Sequence, residues 1–161
     1  MTAERYLTSI FCDDIRREEG NKFSYMGIYG GNLLVVGFPQ VLPRLCFSLS
    51  MRTLGTPPSQ LALKLLKDDE VVAHFEVPTE ALKAVPPWSD PAETPVYQIG
   101  TIFQLFPVQL TGPCKFRARA VCDGVEFKGG TLVVEQIAPP SGQLQLAGGE
   151  AVLSQGAGPT S

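Results

Sequence analysis

Apolar and polar residues alternate along much of the chain, which is typical of half-buried β-strands. The clearest case is residues 44–52, where Leu45, Phe47, Leu49 and Met51 share one face and most of the intervening side chains are polar. A sheet with one apolar and one polar face favours antiparallel pairing, because parallel sheets are usually covered on both faces.

Further segments have strand-like composition and are separated by turn signals. They are residues 6–12, 22–29, 33–36, 61–66, 71–77, 96–106, 115–122 and 125–135. Within 71–77 the alternation predicts that Val71, Ala73, Phe75 and Val77 point inward. The segment 79–84 predicts a short helix capped by Thr79.

Glycine-containing pairs predict where the chain turns. Gly20-Asn21 predicts the tight turn of a first hairpin, and Asp123-Gly124 predicts a two-residue type I′ turn. Gly129-Gly130 interrupts the last strand and predicts a β-bulge.

We therefore predict an all-β fold, a single antiparallel β-sandwich of immunoglobulin-like type with about eight strands. A closed barrel of similar strand number is the alternative. Residues 85–95 hold four prolines and the only tryptophan, Trp88. This long connection favours the sandwich, because a chain that changes sheets needs one.

The composition changes near the end of the chain and divides it into two parts. We predict a β-sandwich domain over residues 1–137 and a disordered tail over 138–161, where Gly, Ser, Ala, Gln and Pro dominate and no aromatic residue occurs. Leu144, Leu146, Val152 and Leu153 are too few to form a packed element.

Bulk composition narrows the class of partner and the compartment. Charged residues make up 18% of the 161 residues and the net charge is -3. We therefore expect no nucleic-acid partner and no membrane partner. No secretory apolar run precedes the first charges, so we expect a cytoplasmic protein whose four cysteines are free thiols. With one histidine and no Cys-x-x-Cys pair, we expect no zinc site and no cofactor.

The densest charge in the chain lies in residues 13–19. This segment either continues the first strand or forms one helical turn. We take Asp13, Asp14, Arg16 and Glu18 as candidate binding residues. Paired carboxylates serve as acid and base or supply oxygen ligands to calcium, which Asp68, Asp69 and Asp123 would join if their loops met. The alternative is local ion pairing, with Asp14 and Arg16 as an orienting pair.

Two other groups of residues suggest binding surfaces. Arg44 and Arg52 on one strand would form a cationic stripe with Lys115, Arg117 and Arg119 if the two strands were neighbours; a solvated sheet face is the alternative. Aromatic side chains would line a ligand groove or pack in the core. They are Trp88, Tyr25, Tyr29 and Tyr97.

The opening of the chain resembles that of a bacterial family of small cytoplasmic proteins described only as a domain of unknown function. The resemblance is carried by Phe11-Cys12-Asp13-Asp14-Ile15-Arg16, Glu18, Asn21-Lys22, Ser24, Met26-Gly27-Ile28-Tyr29, Phe38-Pro39 and Leu42-Pro43. It covers the first third of the chain and, more loosely, the strand pattern to Glu135. It implies no activity.

No catalytic motif is present: the sequence has no Gly-x-Ser-x-Gly elbow and no phosphate-binding loop. We therefore expect a protein that is not an enzyme and that binds a partner protein or forms a homo-oligomer through its strand edges. The alternative is a module that binds a small ligand or a divalent metal through the acidic residues 13–19.

Overall fold

The computed structural model describes residues 4–138, 144–147 and 150–153, and these are mostly β-strand. The one helix in this part of the chain, α1, spans Thr79–Ala84. The strands are β1 (Arg5–Glu18), β2 (Lys22–Ile28), β3 (Asn32–Val35), β4 (Gln40–Leu42), β5 (Leu45–Leu54), β6 (Leu61–Lys67), β7 (Glu70–Glu76), β8 (Val96–Leu105), β9 (Val108–Leu110), β10 (Cys114–Cys122), β11 (Val125–Gln136), β12 (Leu144–Ala147) and β13 (Glu150–Leu153).

Two larger sheets and two strand pairs contain these strands. The first sheet has the order β2-β1-β5-β8 and is antiparallel throughout. The second sheet has the order β3-β11-β10-β6-β7, while β4 pairs with β9 and β12 with β13. Each larger sheet has two edge strands, so neither closes into a barrel.

The prediction of purely antiparallel pairing is wrong at β3, which pairs parallel to β11. Its register sets Asn32 opposite Val133 and Val35 opposite Gln136. A four-residue apolar run carries no signal for strand direction, and its partner lies about a hundred residues further along the chain. Residues 4–138 also hold eleven strands, more than the predicted eight or so, because short strands such as β4 and β9 have little sequence signal.

Side chains from both larger sheets share one hydrophobic core. Phe47 of β5 lies between Phe11 of β1 and Phe116 of the second sheet, with ring centroids 5.5 and 5.3 Å apart. The predicted inward face of β5 is confirmed, because Leu45, Phe47, Leu49 and Met51 are fully buried. The alternating residues of β10 are fully buried too; they are Phe116, Ala118, Ala120 and Cys122. Burying one phenylalanine of this kind stabilises the fold by about 1.5–3 kcal/mol.

The predicted turns are confirmed. Asp123 and Gly124 both have positive φ, 47° and 81°, as a type I′ turn requires. The β10–β11 register shifts beside Gly129 and Gly130, which form the bulge. Glycine is required there because β1 of the other sheet comes close: a Cβ at Gly130 would lie 2.7 Å from Ser9 Oγ.

Three local predictions are resolved by the structure. Residues 13–18 continue β1 as a strand, which excludes the helical turn. Helix α1 has the predicted bounds, but its N-cap is Pro78 and Thr79 makes no capping hydrogen bond. The predicted inward face of the 71–77 segment is confirmed for Val77, which is buried, and for Ala73, which packs against the core. It is wrong for Val71 and Phe75, which are exposed; a register shift between Leu65 and Leu66 changes the phase of the strand at Val71.

Little of the segment 138–161 is described. Strands β12 and β13 pair antiparallel within it, with Leu144 opposite Leu153. Apart from Ala138 and these two strands, the residues of the predicted disordered tail lie outside the described residues. Both the tail and the domain boundary therefore stay predictions. Within the described part of the chain, no helix is long and apolar enough to span a bilayer.

Candidate functional site

Asp13 is held against the second strand of the first hairpin. It lies opposite Gly27 in the β1–β2 register, and it accepts a hydrogen bond from the Tyr29 hydroxyl. Gly27 has a φ of 65°, and a Cβ there would lie 2.1 Å from Asp13 Oδ2. Burial and the Asp13 carboxylate raise the pKa of Tyr29 well above its usual range. This arrangement fixes the Asp13 side chain and accounts for the glycine.

Asp14 is the centre of an ion-pair cluster. Its Oδ1 lies 2.6 Å from Arg44 Nη1 and its Oδ2 lies 3.3 Å from Arg16 Nε, and it also accepts the Ile15 backbone N–H. The hydrogen bond from Arg44, with a smaller contribution from Arg16, lowers the pKa of Asp14. The Asp14–Arg16 pair expected from the sequence is therefore present, and Arg44 completes it.

The candidate acidic residues do not form one site. Glu18 is exposed at the far end of the hairpin opposite Lys22, and four strand residues separate it from Asp14 by about 13 Å. Asp68 and Asp123 lie at opposite ends of β10, bonded to Lys115 N and to Ser59, respectively. In the part of the chain that the structure describes, no three His, Cys, Asp or Glu side chains are grouped to hold a metal ion.

The two thiols nearest the cluster are buried and paired across strands. Cys12 and Cys46 lie opposite each other in the β1–β5 register and are fully buried. Their Sγ atoms donate to the backbone carbonyls of Asp14 and Asp13. Burial, together with the neighbouring Cys46, raises the pKa of the Cys12 thiol to about 11. Both thiols are therefore protonated near neutral pH, the form that is a poor nucleophile.

The predicted cationic stripe does not form. Arg44 adjoins β5 and Arg52 lies on it, in the first sheet, whereas the basic residues of β10 belong to the second sheet. Arg117 Nη1 lies 3.2 Å from Asp69 Oδ1 and also donates to the Asp68 carbonyl. The stripe required neighbouring strands, and strand order is not visible in the sequence.

The aromatic candidates separate into different environments. Tyr25 Oη lies 3.2 Å from Ser48 Oγ and lines a groove of about 360 Å³ on the first sheet. Tyr29 packs against the main core. Trp88 is 68% exposed, and the Arg52 guanidinium lies over its ring with Cζ 4.8 Å from the centroid.

The outer edge of β8 is the longest open edge in the described structure. Its ten residues pair on one side with β5 in an uninterrupted register. On the other side, the Val96 carbonyl accepts the Trp88 N–H, and the Val96 N–H donates to Ser89 Oγ. Because backbone groups alternate sides along an antiparallel strand, every second residue after Val96 also directs its N–H and C=O outward.

Four residues therefore present backbone hydrogen-bonding groups at this edge. They are Gln98, Gly100, Ile102 and Gln104. Among the described residues, these eight groups have no hydrogen-bond partner. Unpaired strand groups are a template for another strand.

The sequence analysis did not identify the β8 edge as a site, and it placed Arg52 only in the cationic stripe. Strand order, which makes β8 an edge, depends on pairing between distant segments. The sequence signal that was available is the absence of charge and of proline from Val96–Leu105, which is unusual for an edge strand.

Comparisons with known proteins give no identification. No family model matches the chain, and no curated protein matches it. The resemblance of the opening stretch to a bacterial family of unknown function therefore stays a prediction.

Proposed function

We propose that this protein is a non-enzymatic assembly module whose β8 edge pairs with the β8 edge of a second copy. The single observation that carries the proposal is the row of unpaired backbone groups from Gln98 to Gln104. We also propose, as the finer description of the fold, an immunoglobulin-like β-sandwich, supported by the core that both larger sheets share. A cytoplasmic location remains part of the proposal.

The side chains of β8 favour pairing with an identical strand. If two β8 strands run antiparallel about a twofold axis at Thr101, Gln98 faces Gln104 and Gly100 faces Ile102 of the other copy. All four outward residues are then hydrogen-bonded pairs, giving eight backbone hydrogen bonds. No shift of the register by two residues pairs all four.

The same register matches the apolar face of the strand. Ile99 would lie opposite Phe103, Tyr97 opposite Leu105, and Thr101 opposite itself. Aromatic pairs with β-branched residues and Thr–Thr pairs each contribute roughly 0.2–1 kcal/mol across strands. Phe103 and Leu105 are now only partly buried against the core, so pairing would complete their burial.

Three variants at Gln104 test the proposal. Gln104→Pro removes one outward N–H, and Gln104→Lys places a charge on the edge, whereas Gln104→Ala keeps the backbone intact as the matched control. Gly100 is unsuitable, since a Cβ there would lie 2.5 Å from the Leu49 carbonyl oxygen. Sedimentation equilibrium should show a dimer for the native chain and for Gln104→Ala. In the Lys and Pro variants the dimer dissociation constant should rise at least about tenfold.

A native chain that stays monomeric at high micromolar concentration would contradict self-assembly. If the outward β8 amides of such a monomer became protected from hydrogen exchange when an extended segment of another protein was added, the edge would bind a partner protein and not a second copy. Equal dissociation constants for the Ala, Lys and Pro variants would show that the dimer uses another surface.

The metal- or ligand-binding alternative at residues 13–19 has weaker support. Asp14 is already neutralised by Arg44 and Arg16, and Asp13 is engaged by Tyr29. Thermal melting with millimolar calcium or magnesium tests it, because an ion bound only by the folded state raises the melting temperature. The proposal predicts no shift with either ion.

A further inference from the structure

Arg52 is held in a fixed orientation by neutral groups. Its Nε donates to Gln98 Oε1 at 2.9 Å and its Nη1 donates to Tyr6 Oη at 3.3 Å. Its guanidinium carbon lies over the Trp88 ring, 4.8 Å from the ring centroid. An arginine fixed in this way has already lost side-chain freedom that a mobile arginine would lose on binding.

The charge of Arg52 is not neutralised within the described part of the chain. The arginines that do form ion pairs there are Arg5, Arg16, Arg44 and Arg117, each within 3.3 Å of an aspartate. Arg52 has no such carboxylate. Of the five N–H donors of a guanidinium, two are used by Gln98 and Tyr6, which leaves three for a ligand.

Arg52 borders a groove of about 470 Å³ whose other walls are largely apolar. Val85, Pro86, Pro87 and Trp88 supply apolar surface, and Gln98 supplies the remaining polar group. A groove of this size and character suits a small organic molecule. Among the described residues that line the groove, Arg52 is the only charged one, which matches one negative charge better than the two of a phosphate.

We propose that Arg52, Trp88 and Gln98 form a binding site for an organic monocarboxylate with a flat apolar body. The carboxylate accepts the free guanidinium N–H donors, and the body packs on the Trp88 and proline walls. Strand pairing at β8 uses outward backbone groups, whereas this site uses side chains, of which Gln98 lies on β8 itself.

The only tryptophan of the chain lies in this site, so its fluorescence reports occupancy directly. Benzoate is the probe, and benzamide is its uncharged counterpart of the same shape. Titration at constant ionic strength should give a saturable change with benzoate, with a dissociation constant on the order of millimolar, and at least about tenfold weaker binding of benzamide.

Variants then assign the charge. Arg52→Gln should weaken benzoate binding at least about tenfold, and Arg52→Lys should weaken it as well, since an ammonium lacks the planar fork. Arg17→Gln, which removes the same charge from the exposed hairpin, is the control and should bind like the native chain. Circular dichroism verifies that each variant is folded.

Three results would overturn the proposal. They are no saturable change with benzoate, equal affinity for benzoate and benzamide, and unchanged benzoate affinity in Arg52→Gln. Tighter binding of inorganic phosphate than of benzoate would contradict the monocarboxylate assignment. The titration is run on the chain diluted to the monomeric state, so that its outcome does not depend on assembly through β8.

Discussion

Strands β7 and β8 are both edges of larger sheets, yet they present very different surfaces. β7 carries exposed Glu70, His74 and Glu76, and its pairing with β6 is broken by a register shift. β8 is three residues longer, has no charged residue, and keeps one register along its full length. Charge and irregularity discourage the addition of a further strand, so β7 is protected and β8 is open.

The remaining two edges resemble β7 more than β8. Strand β3 is only four residues long, which offers few groups for pairing. Strand β2 contains Gly27 in a left-handed conformation beside Asp13. One edge in four lacks protection, and this contrast is the basis of the proposed assembly through β8.

The largest expected effect comes from the core that supports both edges. Phe47→Ala removes a fully buried ring in contact with Phe11 and Phe116, and we expect a loss of about 3–5 kcal/mol in the free energy of unfolding. Urea denaturation measures it. A loss below about 1 kcal/mol would contradict a core shared by the two sheets.

The next effect concerns the turn that joins β10 to β11 in the sheet that β7 borders. Asp123 Oδ1 accepts hydrogen bonds from Ser59 N, Ser59 Oγ and Gln60 N, and its Oδ2 lies 2.7 Å from Arg5. Asp123→Ala should cost about 2–3 kcal/mol in unfolding free energy. Asparagine at position 123 tolerates the positive φ and keeps a hydrogen-bond acceptor. If Asp123→Asn lost as much unfolding free energy as Asp123→Ala, the hydrogen bonds would not be the source of the stabilisation.

Converting β7 into an unprotected edge tests the comparison directly. The triple variant Glu70→Thr, His74→Thr and Glu76→Thr should form species larger than a dimer, with self-association strengthened on the order of tenfold. The control is Glu80→Gln with Glu93→Gln, which changes net charge equally away from any edge. Analytical ultracentrifugation that finds both variants alike would show that these residues do not protect β7.

The smallest effect is a dependence of stability on acid pH. The ion pairs with Arg44 and Arg16 lower the pKa of Asp14; the bonds from Ser59 and Gln60 outweigh burial and lower that of Asp123. A carboxyl group with a lower pKa in the folded state stabilises the fold above its unfolded value of about 3.9 and loses this contribution as the pH falls further.

Stability should therefore be steady with respect to these groups from about pH 5 to 7 and decline below about pH 4. Urea denaturation across this range should give a shallower decline for Asp14→Asn than for the native chain. An identical decline would show that the Asp14 ion pairs do not contribute. Protonation of Asp14 would weaken the ion pairs of the β1–β2 hairpin and leave the uncharged β8 edge unchanged.

Local features of this fold could be read from the sequence because neighbouring residues determine them. Strict alternation identified the buried face of β5, and Asp123-Gly124 identified the turn between β10 and β11. The exposure of Val71 was missed, since a bulge in the pairing of β7 with β6 depends on the partner strand. The parallel pairing of β3 was missed for a related reason, because four apolar residues fit either direction.

The candidate site shows the same limit. Asp14 and Arg16 are two residues apart, and their ion pair was predictable from that spacing. Arg44, thirty residues from Asp14, completes the cluster only once β1 and β5 are known to be neighbours. Arg52 was noted as a basic residue, but its contacts with Tyr6, Trp88 and Gln98 join three distant segments.

Hydrogen exchange of the β8 amides, measured at low and high protein concentration, tests the central claim most directly. Amides of Tyr97, Ile99, Thr101 and Phe103 point toward β5 and should be protected at both concentrations. Those of Gln98, Gly100, Ile102 and Gln104 should exchange fast when dilute and become protected when concentrated. Fast exchange of these four amides at both concentrations, in a chain that otherwise remains folded, would contradict assembly through the β8 edge.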